Sequence, residues 1–460
     1  MVALVGFAGT VPAKLVISRP QIAGKSEAGQ KNKIMKDMVA VILAAGKSTR
    51  MHSSFSKVLH KIYGKSMLEY VLDDIRSIGI SRGLIIINNQ NGIGKKIHLP
   101  KGFHFVFQKK LLGTGHALKQ AEKALGSFNG DIFVFYGDTP LVTEETLNKL
   151  IDKHKISNAA CTLLTTRMKN PSGYGRIVRD DKNDIVKIVE EADASLYEKM
   201  IEEINVGVYC FKAKEVFRVL THLRPKGPKK EYYLTDAIEL LSKRRAKIDS
   251  IHAEDVNEAI GVNSRLDLAK AQNLAKNRIL TRLMQEGVGI IDPSTTHIYN
   301  DVKIDQDTVI YPFTVIESNV RIGKRCRIGP FSRIRPDTVI EDEVEISNFV
   351  EIVRCKIGSG TVIKHHCYLG DAEIGRNVNI GAGTITANYD GKNRHQTKIQ
   401  NKASIGSGTI LVAPVSIGKG AVTGAGSVVL KNTKVPTGGV LVGVPARVMS
   451  ARGGKKRGGV

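Results

Sequence analysis

Residues 41–51, VILAAGKSTRM, run from an apolar strand into a loop with one glycine, two hydroxyls and two cations. The letters GKST end a P-loop, but that pattern needs a glycine five residues before Gly46, and Val41 stands there. The dinucleotide fingerprint fails as well, because Ser48 and Met51 occupy its later glycine positions. What remains is a loop suited to a triphosphate. A second chemical feature is Asp138, an acid just past the apolar run at residues 131–136. Both Gly46 and Asp138 fall at strand ends, where ligands bind in an open α/β sheet. No reaction is named by these residues alone.

The elements that must position them alternate. Residues 66–69, SMLE, form a capping-box pattern that starts a helix, with Leu68, Val71, Leu72, Ile75 and Ile78 as its buried stripe and Gly79 as its stop. Residues 84–87 follow as a buried strand. Strands alternating with helices predict a parallel sheet covered on both faces. Residues 264–286 read as a connecting helix with Leu266, Ala269, Leu274, Ile279 and Leu283 on its apolar face, stopped by Gly287 and Gly289.

Beyond the connector the period becomes six. Isoleucine recurs at 298, 304, 310, 316, 322, 328, 334, 340, 346 and 352. A small or β-branched residue follows four places later, from Val302 and Thr308 through Cys326 to Val350. The ladder slips by one to Ile357, Ile363 and Leu369, then again to Ile374 and Ile380, and resumes at Ile399. An α-helix cannot keep a period of six on one face, whereas a hexapeptide β-solenoid can. Residues 386–398 break the ladder and should be a loop ejected from the solenoid.

The totals bound the partners. The net charge is +25, so anionic ligands are expected. Aromatics make up only 5 % and Trp is absent, which leaves few stacking platforms for nucleic acid. Five cysteines without C-x-x-C spacing point to reduced thiols in a cytoplasmic protein. No apolar run is long enough to span a bilayer, so no membrane insertion is expected. Residues 1–37 read as a disordered extension or the product of an upstream start codon.

With both halves in view, the chain resembles the bacterial bifunctional N-acetylglucosamine-1-phosphate uridyltransferase/glucosamine-1-phosphate acetyltransferase family, over residues 38–447. The resemblance rests on LAAGKSTRM (43–51), KVLH (57–60), LGTGHA (112–117), YGD (136–138), GYGRI (173–177), EEINVG (202–207), EYYLTD (231–236) and GVN (261–263). In the second half it rests on RP (335–336), NFVE (348–351), HHCYLGDAEIG (365–375), NIGAGT (379–384), NYDG (388–391) and LVAPV (411–415). It implies an α/β protein: an N-terminal Rossmann-like nucleotidyltransferase domain with a mostly parallel sheet, plus a C-terminal left-handed parallel β-helix of hexapeptide repeats. The implied domains are 38–263 for uridylyl transfer, a linker helix at 264–287, an acetyltransferase β-helix at 288–447 and a basic tail at 448–460.

For uridylyl transfer from UTP to N-acetylglucosamine-1-phosphate, the resemblance implies that Leu43, Ala44 and Gly46 hold the nucleotide. Arg50 and Lys57 would neutralise phosphates, and Asp138 and Asn263 would bind Mg²⁺, a hard cation suited to two oxygen ligands plus phosphates and water. Gln108, Gly113 and Thr114 match uracil and ribose contacts. Gly175, Glu190 and Asn205 match sugar contacts. Ser48 and Ser56 stand where the family has Gly and Pro.

For acetyl transfer from acetyl-coenzyme A to glucosamine-1-phosphate, the resemblance makes His365 the base that accepts the amine proton. Glu351 would orient it, and Arg335, Tyr368, Asn379 and Asn388 would contact the sugar phosphate. Tyr389, Ala382, Ser407 and Ala425 would face the coenzyme. This half departs from the family: Val353 replaces a phosphate-binding lysine, Gly443 replaces a coenzyme-facing arginine, and the solenoid is shorter by roughly two coils of about 18 residues. An alternative therefore keeps only uridylyl transfer, with the β-helix as an assembly or regulatory domain. A non-catalytic scaffold or nucleic-acid binder is the third reading. The family also implies a homotrimer packed through the β-helix.

Overall fold

The computed structural model describes residues 37–88, 92–227 and 230–449. The readings of residues 1–36 as an extension and of residues 450–460 as a basic tail lie outside these described residues. In the first half the strands of the main sheet are β1 (Met38–Leu43), β2 (Gly83–Ile87), β3 (Phe103–Phe107), β4 (Asp131–Tyr136), β5 (Cys161–Arg167), β6 (Arg176–Arg179), β7 (Ile185–Val189), β8 (Glu203–Lys212) and β9 (Ile248–His252). Seven of them form the sheet β9-β5-β8-β4-β1-β2-β3, and the β6–β7 hairpin attaches to β8.

Neighbours pair in parallel except around β8, which runs antiparallel to both β4 and β5. The carboxyl ends of β1 to β4 therefore share one edge. Alternation along β1 explains the layering. Met38, Ala40 and Ile42 pack under the helices α1 (Met67–Ser77) and, after α2 (Thr114–Leu125), α3 (Glu144–Ser157). Val41 and Leu43 face α2 and the later helices α4 (Ala213–Leu220) and α5 (Asp236–Lys243). The Ser66–Glu69 capping box starts α1 as the sequence predicts.

The connector is α6 (Arg265–Gln285), and its buried face keeps Leu274, Ile279 and Leu283 of the expected stripe but not Leu266 and Ala269. Leu266 is 66 % exposed and Ala269 faces solvent, while Leu268, Ala271, Ala275, Ile279, Leu280 and Leu283 are buried. Two surroundings select that face. Leu268, Ala271 and Ala275 meet Met51, Ile62 and Val262 of the first half, whereas Ile279, Leu280 and Leu283 cap the solenoid core.

The second half is a prism of three sheets with ten, eight and eight strands, all paired in parallel except the antiparallel last pair of the ten. Every isoleucine of the ladder points into one continuous core, and the small residues four places later fill the corners inside. The ejected loop is narrower than predicted, spanning 388–396. Thr386 and Thr397 are fully buried and stay in the strands Ile385–Ala387 and Thr397–Ile399.

Candidate functional sites

In the first half, the predicted residues gather at the shared strand edge. Leu43 and Ala44 turn their side chains inward, so only their backbones can face a ligand. Gly46 is exposed, and a Cβ built on it would meet nothing within 4 Å, leaving room for a phosphate against the main chain. Arg50 stands exposed on the short turn Thr49–Met51, which buried Met51 anchors. Ser48 sits in the left-handed region at φ 58, and its hydroxyl accepts the Lys57 N–H at 2.8 Å.

Lys57 rides on a second short turn, Lys57–Leu59, pinned by buried Val58 and Leu59. Its ammonium forms an ion pair with Asp138 and donates to Asn263 Oδ1 at 2.6 Å. Asp138 follows β4, and its carbonyl accepts the Val262 N–H at 2.8 Å, which brings the distant 261–263 segment alongside. Asn263 is fixed by the start of α6. The Asp267 carboxylate accepts its N–H at 3.1 Å and closes a capping box with Ser264.

The other predicted contacts line the same edge. Gln108 is buried after β3, with its amide donating to Gly113 O at 3.1 Å and lying 2.9 Å from His116 Nδ1. Thr114 opens α2, and its hydroxyl accepts the Leu234 N–H at 3.0 Å. Gly175, Glu190 and Asn205 form a second group: Gly175 O accepts the Asn205 N–H at 2.9 Å, and a Cβ on Gly175 would lie 3.7 Å from Glu190 Oε2. Burial raises the Glu190 carboxyl above its ordinary range, opposed by a 2.8 Å hydrogen bond from the Thr235 hydroxyl and reinforced by Asp236 and Asp193. A β-bulge between Asn205 and Tyr209 lets Asn205 Nδ2 donate to the Tyr209 hydroxyl at 2.7 Å.

Sequence reasoning missed what joins the two groups. The half-buried Tyr136 packs its ring edge-on against Tyr209 at 6.2 Å, and burial pushes its ionisation up, with Glu190 adding to the rise. Tyr136 and Thr235 lie inside the quoted YGD and EYYLTD motifs. Only their side-chain geometry shows that they connect the nucleotide side to the sugar side.

In the solenoid, His365, Ala382, Ser407 and Ala425 occupy the same corner of successive coils. Gly383 donates to His365 O, Gly408 to Ala382 O and Gly426 to Ser407 O. His365 is exposed at the head of this column, its ring edge-on to His366 at 5.6 Å. On the adjoining face Arg333, Glu351 and Tyr368 stack in register. Glu351 pairs with Arg335 at 2.8 Å, so the structure spends this carboxylate on the arginine instead of on His365. Arg333, Glu351 and Tyr368 border an open cavity of about 400 Å³ beside the stacked rings of Phe331, Phe349 and His366.

Asn388 lies at the far corner of that face, bonded to Asp371, which also holds the Arg354 guanidinium at 2.5 and 2.8 Å. Tyr389 is 61 % exposed on the ejected loop, which the 2.7 Å Asp390–His395 pair folds back. Asn379 stands on a different sheet, between Val362 and Ser404. One prism thus spreads its predicted contacts over two faces and two corners.

Two family profiles divide the chain at the same place as the fold. The nucleotidyl transferase family matches residues 39–256, and the bacterial transferase hexapeptide (six repeats) family matches residues 301–336 and 319–354. Across both halves the chain is 44 % identical to the bifunctional protein GlmU of Geobacillus sp. (strain WCH70), covering 85 % of this chain and 92 % of that protein. The chain belongs to the GlmU family. The GlmU proteins of Syntrophomonas wolfei subsp. wolfei (strain DSM 2245B / Goettingen) and Lactococcus lactis subsp. cremoris (strain MG1363) are each 41 % identical, over 85 % and 88 % of this chain and 95 % of their own lengths.

As a GlmU-family chain it carries its departures in definite environments. Val353 is 2 % exposed and pairs with Gly370, so this position gives the solenoid surface no charge. Gly443 adopts φ 97 in the turn between the last two strands. Ser56 keeps φ −55, a value proline would share, and its buried hydroxyl has no hydrogen-bond partner among the described residues.

Proposed function

We propose that this chain makes UDP-N-acetylglucosamine in two steps: acetyl transfer from acetyl-coenzyme A to glucosamine-1-phosphate, then Mg²⁺-dependent uridylyl transfer from UTP to N-acetylglucosamine-1-phosphate with release of pyrophosphate. The observation that carries it is the meeting of Lys57, Asp138 and Asn263, from three distant stretches of sequence, at the mouth of the sheet.

Asp138 and Asn263 offer a carboxylate and an amide oxygen to one cation, the donor chemistry of a hard divalent ion. Among the described residues no three His, Cys, Asp or Glu side chains gather elsewhere as a metal site. Bound there, Mg²⁺ would neutralise charge on phosphate oxygens. Gly46 presents its main chain, Arg50 and Lys57 supply fixed positive charge, and Glu190 with Asn205 orients the sugar.

In the acetyl-transfer site the amine of glucosamine-1-phosphate attacks the thioester carbonyl. A C–N bond forms and the C–S bond breaks, while His365 accepts the amine proton and passes it to the leaving thiolate, so that the coenzyme departs as its thiol. The column of small side chains below His365 leaves the corner clear for the coenzyme.

Because Asn388 and His365 sit at opposite corners of one face and Asn379 on another, a single prism does not surround one ligand. That division supports a homotrimer in which neighbouring copies complete each site. The five cysteines are buried and unpaired, which fits the cytoplasm. Among the described residues no helix is long and apolar enough to cross a membrane.

Two assays on the full chain test the proposal. Pyrophosphate should appear from UTP and N-acetylglucosamine-1-phosphate, and free thiol from acetyl-coenzyme A and glucosamine-1-phosphate. Asp138→Asn should stop only the first, and His365→Ala only the second. The buried Val353, with Arg354 committed to Asp371, favours a second reading in which the β-helix serves assembly alone. Absence of thiol release with intact pyrophosphate release would select it.

A further inference from the structure

We infer that the Lys57 ammonium is a built-in stand-in for the divalent cation, filling the point between Asp138 and Asn263 until a metal displaces it. The inference rests on reading Asp138 and Asn263 as the metal ligands. Its basis is steric and electrostatic. The ammonium already takes Asn263 Oδ1 at 2.6 Å and the Asp138 carboxylate. A Mg²⁺-sized ion needs those oxygens at about 2.1 Å, which leaves no room for the ammonium on the same atoms. Two cations held together there would also repel one another.

The fold allows this exchange by a side-chain movement. The Lys57 main chain is tied by its N–H to the Ser48 hydroxyl at 2.8 Å, and buried Val58 and Leu59 hold the turn behind it. Ser48 belongs to the phosphate loop itself, so the tether keeps Lys57 beside Gly46, where open space faces the main chain. An ammonium released from Asp138 therefore has a phosphate within the same pocket as its next partner. In the metal-free protein the lysine neutralises Asp138 and keeps both ligands aimed at one point. It also makes binding of metal alone weak, so that metal and nucleotide enter together.

The test measures Mn²⁺ alone, without nucleotide, by the loss of the free-ion paramagnetic resonance signal on titration into full-length protein. Lys57→Met should bind Mn²⁺ at least about tenfold more tightly than the unaltered chain, and adding Asp138→Asn should abolish that gain. If Lys57→Met binds no more tightly while Asp138→Asn still removes binding, the exchange is refuted and the metal site stands. If binding ignores Asp138→Asn, the metal reading fails and the exchange with it. A second measurement needs no substitution. Saturating Mn²⁺ should speed acylation of Lys57 by an amine reagent relative to exposed Lys61, read by peptide mass spectrometry. An unchanged ratio overturns the proposal.

Discussion

Gly113 shows how little freedom single residues have at this site. It adopts φ 100, and a Cβ there would lie 2.6 Å from Tyr232 O. Gly113→Ala must shift the backbone that presents Thr114, at a cost of about 1–3 kcal/mol. The expected outcome is a lower melting temperature and a KM for UTP raised by about tenfold, with acetyl transfer retained. An unchanged KM would remove Gly113 from the nucleotide site. The sequence made Lys57 and Asp138 legible because a cation near a strand-end glycine and an acid at a strand end are local patterns. Asn263 was different: GVN is an ordinary loop until folding lays it against Asp138, so only the family resemblance pointed to it. The Tyr136–Tyr209 link was illegible because its partners lie far apart in sequence and a β-bulge aims them.

At the scale of elements, the isoleucine ladder was read correctly because each hexapeptide makes one side and one corner of the prism with its aliphatic side chain inward, a local rule that neighbours do not alter. The connector helix was read correctly at Ile279 and Leu283 and misread at Leu266 and Ala269, because α6 has two neighbours and its buried face is set by both. That helix also carries two predictions. Ser264→Ala removes the N-cap that positions Asn263, which should cost about 1 kcal/mol of stability and weaken uridylyl transfer more than acetyl transfer. Equal losses in both assays would show that the cap serves stability only.

The second concerns Asp74 on α1, close enough to Arg278 of α6 to feel its charge. Burial pushes its carboxyl up to about 8; Asp73 and Glu144 add to this, and Lys65 and Arg278 oppose it. A folded-state pKa above the unfolded value means the folded protein holds a proton that the unfolded chain releases. Stability contributed by this group should therefore fall as pH rises from the ordinary carboxylate range to about 8, then level off. Asp74→Asn should flatten that slope and raise the melting temperature at pH 7. Parallel melting curves across this window for both proteins would contradict it.

For the whole molecule, the two halves place different demands on assembly. The residues proposed for uridylyl transfer lie within one chain, at one sheet edge. The residues proposed for acetyl transfer lie on two faces and two corners of a prism. If copies complete one another, defects on different corners should complement. His365→Ala disables the corner column, and Tyr389→Ala disables the ejected loop, each expected to stop thiol release by itself while leaving pyrophosphate release intact. Unfolding and refolding the two variants together at equal concentration mixes the copies. With His365 from one copy and Tyr389 from another at each site, random assembly restores about a quarter of the sites. Thiol release at that level, alongside uridylyl transfer that does not change on mixing, is the expected result. No recovery from a refolded mixture that regains full uridylyl transfer would place His365 and Tyr389 of each acetyl-transfer site on one chain.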